Sequence, residues 1–460
     1  MKKYYIIFML FIFVVACKKQ DKFLDIKSKK SDVILGTLQD YQALLDNTDI
    51  MNNSYPSIGM IGSDNYFVTS ASWQASINPT DRNSYIWASD IYENSTTIAT
   101  PEWSTSFQII EYANIVLEGI EKIAQTVANQ NDYNNIKGSA LFFRSFSFYN
   151  LSQLFAKPYD PTTSSTDLGL PLRKTSNVNA MVQRATVKET YSQIIDDLKQ
   201  AEILLPMNPA FKSRPSKIAA QALLAKVYLI MLDYENAKKY ADLALSQNST
   251  LIDFNTLTTT RTYSFGNFTV GNPEVIIYMR ATLTPFMISP TQIVAPELYN
   301  LYNSNDLRRS IFYRSNAAGI IFTGKYTGNV SFFSGLATNE IYLIRSECLA
   351  RTGNAALALA DLNTLLIKRW NKNVTYSPVM TNSLDEALAI ILQERRKELP
   401  FTSNTRWEDL RRFNKDSRFA VTLSRIVNSI TYSLPPNDPR YIYPIPPLEI
   451  EKSGLQQNLR

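Results

Sequence analysis

The sequence predicts a mostly α-helical protein in which helical hairpins form a scaffold, long irregular excursions leave it, and a few short β-strands are present. Three observations lead to this prediction. Helical periodicity dominates residues 102–204. Two later blocks, 215–247 and 339–370, each read as a pair of helices around a short turn. Residues 52–100 and 250–336 are instead aromatic, polar and short of helical signals.

The first helical region divides into three predicted helices. Two fit TPEWSTSFQIIEYANIVLEGIEKIAQTV and IKGSALFFRSFSFYNLSQLFA. The third fits VKETYSQIIDDLKQAEILL, where apolar residues recur at helical spacing. A loop rich in proline, serine, threonine and glycine, residues 157–175, separates the second helix from the third.

The two later blocks share a helix–turn–helix design. In the first block the turn is predicted at 232–234. In the second block the turn contains Gly353, which favours a helix end, and Asn354, which favours a helix start. A shift of 121 residues aligns the blocks loosely. Fewer than three adjacent repeats do not make a stable solenoid, so these hairpins are expected to pack on other parts of the chain. The first block carries the small–aromatic–small–small pattern of a tetratricopeptide repeat at Ala225, Tyr228, Ala237 and Ala244.

The irregular segments are the expected location of the function, because binding residues concentrate on loops that a rigid scaffold positions. Short strands are predicted in PEVIIYMRA, and also in AGIIFTG. Turn signals occur at Gly266-Asn267 and around Gly271.

The N-terminus has the layout of an export signal. Lys2 and Lys3 precede an apolar run from Tyr4 to Ala16, which ends at Cys17. Thirteen apolar residues are too few for a membrane-spanning helix, which needs about 17–25. Two interpretations remain open: a bacterial lipoprotein signal in which Cys17 is lipidated, and an ordinary signal peptide followed by a chance cysteine. The agreement of leader layout and cysteine position favours the lipoprotein.

These observations predict three parts of the chain. Residues 1–16 are the signal peptide, residues 17–30 the lipidated tether, and residues 31–460 a single domain. The other cysteine, Cys348, lies in a helical pattern that suits a buried thiol.

Composition excludes several classes of function. The 460 residues include no histidine, which removes Ser-His-Asp and Cys-His catalysis and histidine zinc sites. Glycine-rich phosphate loops are also missing from the sequence. The formal charge of +6 is too small for a nucleic-acid footprint, so no nucleic-acid partner is expected. Carboxylate chemistry, as in glycosidases, is what remains for an enzyme.

The densest charged box lies near the C-terminus and has two readings. Glu398 and Glu408 could act as a catalytic carboxylate pair, or the box could form an ion-pair and stacking network that ties the last helices to the body. Acidic and basic residues alternate in it, which favours the network. Its members are Glu394, Arg395, Arg396, Glu398, Arg406, Trp407, Glu408, Asp409, Arg411 and Arg412.

Six segments, in order, resemble the SusD/RagB family of outer-membrane nutrient-binding lipoproteins. At Thr405 the chain departs from that family's C-terminal box, which often carries histidine there, so this histidine is not required for what we infer. The segments are FLDIKSKK, ALFFRSFSFYNLSQLFA, RPSKIAAQALLAKVYLIMLDYENAKKYADLAL, NEIYLIRSECLARTGNAALALADLNTLL, ERRKELPFTSNTRWEDLRRFNK and YIYPIPPLEIEKSGLQQNLR.

The resemblance implies a mostly helical domain with tetratricopeptide-like hairpins, without enzymatic activity or cofactor. It also implies a lipid-anchored, outward-facing position at the outer membrane. The partners it implies are an oligosaccharide or similar nutrient and a SusC-like TonB-dependent transporter, into which the nutrient is passed.

The resemblance places ligand contacts in the loop after the first helix and in the mid-chain excursion. We expect the site on residues 60–85 and 260–295, where aromatic rings and hydroxyl or amide groups are dense. Trp87 and Trp103 fit the core better. For Trp73, an exposed binding platform and a structural role both remain open. The candidates are Asp64, Asn65, Tyr66, Trp73 and Phe286.

Three alternatives to oligosaccharide uptake remain at this point. Aromatic loops also grip peptides, so a peptide-binding member of the same family is one. A tetratricopeptide scaffold that binds only proteins is another, and a surface-anchored glycosidase is the third.

Overall fold

The computed structural model describes residues 35–96, 100–268, 271–288 and 291–460. The predicted leader, Cys17 and the tether lie outside these ranges. Within them, helices predominate and the strands are short, which confirms the predicted fold class. No helix in the described ranges has the length and apolar character needed to cross a bilayer.

The N-terminal segment folds into short helices. The first of them begins with a capping box, in which Thr37 Oγ1 accepts the Asp40 backbone N–H and the Asp40 carboxylate accepts that of Thr37. Helical signals are few in the sequence between 52 and 100, and the helices described there have at most seven residues. The bounds are α1 Leu38–Leu45, α2 Thr48–Met51, α3 Ile58–Gly62, α4 Ser70–Ala75 and α5 Pro79–Tyr85.

Three long helices follow and confirm the predicted helical region. The middle one is buried at every position from Gly138 to Phe155, which explains why it lacks a polar face. It packs between the other two, and Arg144 on it forms a buried ion pair with Asp197 at 2.8 Å. The helices are α6 Pro101–Ile120, α7 Gln130–Phe155 and α8 Val187–Leu204, and antiparallel β2 Leu168–Pro171 and β3 Arg184–Thr186 lie between α7 and α8.

Both predicted hairpins are present. The first turn contains Leu232 at φ +62° and the N-cap Asp233, and the second contains Gly353 at φ +97° and the N-cap Asn354. In the second hairpin Ser346 Oγ donates to the Ala358 carbonyl at 2.7 Å. The hairpins are α9 Lys217–Ile230 with α10 Tyr234–Gln247, and α13 Thr338–Arg351 with α14 Ala355–Leu366.

The hairpins pack on each other and on neighbouring helices, as the sequence required. Helix α10 lies against α13, α9 lies against α8, and α13 also packs on the helix that begins the C-terminal region. The C-terminal elements are α15 Leu384–Glu398, α16 Thr405–Phe413, the hairpin of β9 Leu423–Val427 and β10 Ile430–Leu434, and α17 Pro447–Ser453.

The mid-chain excursion contains the predicted strands and joins distant parts of the chain. The strand Tyr66–Phe67, from the N-terminal segment, pairs with Ile293–Val294. The strand Val275–Ile277 pairs with Leu336–Ala337, which leads directly into α13. The elements are β1 Tyr66–Phe67, β4 Val275–Ile277, β5 Ile293–Val294, α11 Pro296–Tyr299, α12 Arg308–Ile311, β6 Tyr313–Asn316, β7 Gly319–Phe322 and β8 Leu336–Ala337.

A buried ion network joins the excursion to the C-terminal helices. The Glu398 carboxylate, on α15, accepts from Arg308 at 3.2 Å and from Arg369 at 2.8 Å. Asn339 Nδ2 donates to the same carboxylate at 2.9 Å. Burial opposes ionisation of Glu398, but Arg369 and Arg308 outweigh it and hold the pKa of Glu398 below its usual value.

The network continues into the hairpins. Arg395 contacts Asp409 and Glu340, each at 3.0 Å, and Lys226 of α9 lies 3.3 Å from Glu340 and 3.2 Å from Glu408. These groups are nearly inaccessible to water, so each charge depends on the opposite charge beside it. The predicted structural network is therefore confirmed, and it lies inside the protein rather than on a solvated helix face.

We expect Glu398→Gln to lower the free energy of unfolding by about 3–5 kcal/mol, because it leaves buried Arg308 and Arg369 without this carboxylate. Asp385→Asn is the matched control, since the Asp385 side chain is 76% exposed and its pair with Arg418 should contribute less than about 1 kcal/mol. Urea denaturation of the three proteins measures both effects. Equal stability of the two variants would contradict a supporting role for the network.

Candidate functional site

Three of the predicted ligand residues are buried, which corrects the expectation that they form a surface. Asn65 is wholly inaccessible, and its side chain accepts from Arg396 Nε at 3.0 Å and donates to the Pro400 carbonyl. Tyr66 is 2% exposed, and Phe286 packs its ring on Tyr85. These side chains face the protein interior and offer no area to a ligand in this structure.

Asp64 lies nearby, and its carboxylate is engaged in ion pairs with two arginines. Arg406 donates to its two oxygens at 2.7 and 2.8 Å, and Arg396 lies 3.2 Å from it. Burial opposes ionisation of Asp64, yet these two cations outweigh burial and hold the pKa of Asp64 below its usual value. Asp64 therefore connects the N-terminal segment to α15 and α16.

Trp73 is half-buried on α4 and packs against the core. Its Nε1–H donates to the Arg82 carbonyl at 3.0 Å, and the neighbouring Gln74 donates to Asn428 beyond β9. The ring therefore has a structural contact as well as an exposed part. Trp87 and Trp103 lie in the core, as predicted, at 1% and 4% exposure.

A pocket of about 220 Å³ opens beside the mid-chain excursion and combines aromatic rings with hydroxyl and amide groups. It draws on three separate stretches of the chain, none of which forms it alone. We call it the Phe268 pocket. It is lined by Thr48, Asn52, Phe268, Tyr278, Arg280, Thr327 and Asn329.

Backbone pairing between two of these stretches sets the pocket floor. The Arg280 N–H donates to the Asn52 carbonyl at 2.9 Å, and the Tyr55 N–H donates to the Arg280 carbonyl at 3.0 Å. Asn52 Nδ2 donates to the carbonyls of Tyr278 and Ser213, both at 2.9 Å. The Asn52 side chain is consequently fixed, with its orientation set by main-chain acceptors.

A glycine turn brings the third stretch into place. Gly328 has φ +65°, and a Cβ atom there would lie 2.6 Å from the Asn267 backbone nitrogen. A larger residue would therefore be strained and would push the two loops apart. Close approach of this turn positions Thr327 and Asn329 beside the loop that carries Phe268.

The pocket offers an apolar face next to polar groups. Phe268 is 47% exposed and meets Tyr278 edge-on, with ring centroids 5.2 Å apart. Burial raises the pKa of Tyr278 to about 12, so this phenol stays neutral at physiological pH. The Oδ1 atom of Asn52 is buried and accepts no hydrogen bond from the residues that the structure describes. Asn52 therefore has hydrogen-bonding capacity that these residues do not use.

A larger cleft of about 590 Å³ lies between loop 157–168 and the C-terminal segment. Its lining is mainly amide, charged and hydroxyl groups, and its aromatic ring, Tyr441, is 2% exposed. Without an accessible ring face, it fits a sugar less well than the Phe268 pocket does.

Glu398 and Glu408 do not form a shared site. Glu398 is bound by Arg308 and Arg369, whereas Glu408 lies beside Lys226 and accepts from the Tyr149 hydroxyl at 3.0 Å. Burial raises the pKa of Glu408, with Lys226 offsetting only part of the effect. Each carboxylate therefore has its own cations, and both are at most 3% exposed.

Three of the seven residues that line the pocket lie in a predicted stretch, but none of the five named candidate residues lines it. The predicted stretch 260–295 supplies Phe268, Tyr278 and Arg280, whereas the predicted stretch 60–85 supplies none of its lining. Thr48, Asn52, Thr327 and Asn329 were missed. Gly328 marks a turn in the sequence, and the residues after α1 form a polar run, but neither feature shows which distant segment would pack against it.

Comparisons with known proteins agree with this architecture. A sequence profile described as starch-binding and associating with the outer membrane matches residues 22–229, and the SusD family profile matches residues 338–460. A curated relative, SusD-like protein P2 of Formosa agariphila, is 28% identical over 148 residues, or 32% of this chain. That alignment spans about a quarter, 27%, of the relative's length.

Solved structures show the same fold at low sequence identity. A SusD superfamily protein from Bacteroides thetaiotaomicron is 21% identical with a TM-score of 0.73, and the match covers 92% of this chain and 100% of that one. A SusD-like carbohydrate binding protein from Bacteroides vulgatus is 19% identical with a TM-score of 0.66, covering 89% and 95%. With two profiles matched in order and the fold shared nearly end to end, the chain belongs to the SusD family.

Proposed function

We propose that this protein is a lipid-anchored outer-membrane protein that binds an oligosaccharide in the Phe268 pocket and passes it to a SusC-like TonB-dependent transporter. The observation that carries the binding proposal is the exposed Phe268 ring in a pocket that Asn52 also lines, with an Oδ1 atom that has no hydrogen-bond partner among the described residues. The remaining parts of the proposal rest on the family and on the leader sequence.

The chemistry of the pocket suits a sugar. A pyranose ring has an apolar C–H face, which can lie on Phe268, and hydroxyls around its edge, which can reach Asn52, Thr327 and Asn329. A buried polar group built to pair with a ligand discriminates strongly against a ligand that lacks the partner. Asn52 Oδ1 thus supplies selectivity, while the ring supplies contact area.

Anchoring and delivery are supported less directly. The matched profile describes proteins that associate with the outer membrane, and the leader ends at Cys17, where a lipid would be attached. A transporter partner follows from the family, and the predicted tether of residues 17–30 would hold the protein as a lid over the barrel mouth. The pocket would then deliver ligand without leaving the membrane.

We also infer that the protein is not an enzyme. The sequence has no histidine, and the two carboxylates that could have formed a catalytic pair are separately bound by cations. A glycosidase needs two carboxyl groups that flank one bond, and Glu398 and Glu408 are buried in different parts of the ion network.

Phe268→Ala should weaken oligosaccharide binding up to about tenfold, because stacking on one ring contributes about 0.5–1.5 kcal/mol beyond area burial. Calorimetric titration against a panel of neutral and acidic oligosaccharides measures the affinity. Phe211→Ala is the control, since Phe211 is 62% exposed and does not line the pocket. Melting curves should show intact folds for both variants.

The same titration separates the pocket from the Trp73 surface. Trp73→Ala should lower the melting temperature, since this indole packs on the core and donates to Arg82. If Trp73→Ala abolishes binding while Phe268→Ala binds normally, the ligand lies on the α4 surface and the pocket assignment is wrong.

Cys17→Ala should release the protein from the membrane fraction, because the mature chain would lose its lipid. The control is Cys348→Ala, which changes a buried helical cysteine and should leave the protein membrane-bound. Fractionation in a host that processes lipoproteins, with the transporter gene deleted, measures both. Membrane retention of Cys17→Ala under these conditions would refute lipid anchoring at Cys17.

A further inference from the structure

The Phe268 pocket has a positively charged side chain in an otherwise uncharged lining. Of the seven described residues that line it, Arg280 is the charged one, and the other six are hydroxyl, amide or aromatic residues. A carboxylate is not among them. The one charged side chain among these seven residues is therefore a cation.

The main chain fixes where this charge lies. The N–H and carbonyl of Arg280 are both engaged with the segment that carries Asn52 and Tyr55, so its Cα cannot move without breaking that pairing. The side chain remains 35% exposed. The Arg280 Cα is consequently fixed beside the pocket, and its side chain is accessible to a ligand.

Arg280 differs from the arginines of the ion network. Arg308 and Arg369 have side chains 1% exposed, and each has two or more carboxylates within 3.2 Å. The ion-pair partner described for Arg280 is Asp49, at 3.6 Å, with a side chain 90% exposed. Such exposed pairs contribute little, since water screens both charges.

The guanidinium therefore has donors to offer. It carries five N–H groups in a planar fork, and this geometry matches the two oxygens of a carboxylate or the oxygens of a sulfate. Asp49 can turn away into solvent at small cost when a ligand anion takes its place.

Building on the proposed function, we propose that the Phe268 pocket selects an acidic sugar residue, one that carries a carboxylate or a sulfate, with Arg280 as the partner of the anion. Recognition then has three points. Phe268 contacts the apolar ring face, Asn52 Oδ1 accepts a hydrogen bond from a sugar hydroxyl, and Arg280 binds the anionic group. A neutral sugar satisfies the first two points alone.

The test compares acidic oligosaccharides with neutral ones of the same linkage. The mature wild-type protein is titrated with uronate oligosaccharides, with their carboxyl-reduced counterparts, and with sulfated and desulfated pairs. We expect at least one acidic ligand to bind about tenfold or more tightly than its neutral counterpart, as for a charge-assisted hydrogen bond. The uronate and sulfate arms show which anion is preferred.

Variants assign the preference to Arg280. Arg280→Gln should abolish the difference between acidic and neutral ligands, Arg280→Lys should retain part of it, and added salt should weaken only acidic binding. Arg261→Gln is the control, because Arg261 is exposed and does not line the pocket. Each variant keeps the backbone pairing, so a melting curve should show an unchanged fold.

Distinct results overturn the two proposals. If neutral oligosaccharides bind as well as their acidic counterparts, or if Arg280→Gln keeps the preference, acidic selectivity through Arg280 is wrong while sugar binding stands. If no oligosaccharide of either kind binds, the proposed function fails and this inference fails with it.

Discussion

The fold depends on burying several guanidinium groups at once. Arg308, Arg369 and Arg395 are each about 1% exposed, and removing such a charge from water costs more than a single ion pair returns. Each guanidinium group is stabilised only when carboxylates from separate segments surround it, because these carboxylates replace the hydration that water would otherwise provide. The network therefore joins the hairpins, the excursion and the C-terminal helices in a single arrangement, and partial assembly leaves charges unpaired.

The helical scaffold was predictable because its signals are local. Small residues such as Ala225 and Ala237 mark close helix contacts, and Gly353 with Asn354 marks a helix end and a helix start, all within a few residues. The alternation of acidic and basic residues in the C-terminal box also indicated a network. Its burial was not predictable, since the partners Arg308 and Arg369 lie far outside the box.

The ligand residues were harder to predict because their environment is set over long distances. Asn65 resembles an exposed loop residue in sequence, yet its side chain is buried and accepts a hydrogen bond from Arg396, 331 positions later. Asn52 shows the opposite effect, since backbone pairing with Arg280 brings it into the lining of a pocket. Composition indicated an aromatic segment at 260–295, which supplies part of the lining of the Phe268 pocket, but which polar groups lie beside it depends on contacts between distant segments that periodicity does not report.

None of the seven residues of the Phe268 pocket takes part in the buried ion network. Substitutions at the pocket therefore leave the ion network intact, and they cost least at Phe268 and Arg280, whose side chains are partly exposed, whereas Asn52, Tyr278 and Thr327 are buried. Natural selection can vary ligand preference at the exposed positions without first acquiring compensating changes in the scaffold. This separation gives the architecture a capacity to diversify, and the fold itself persists at about one-fifth sequence identity.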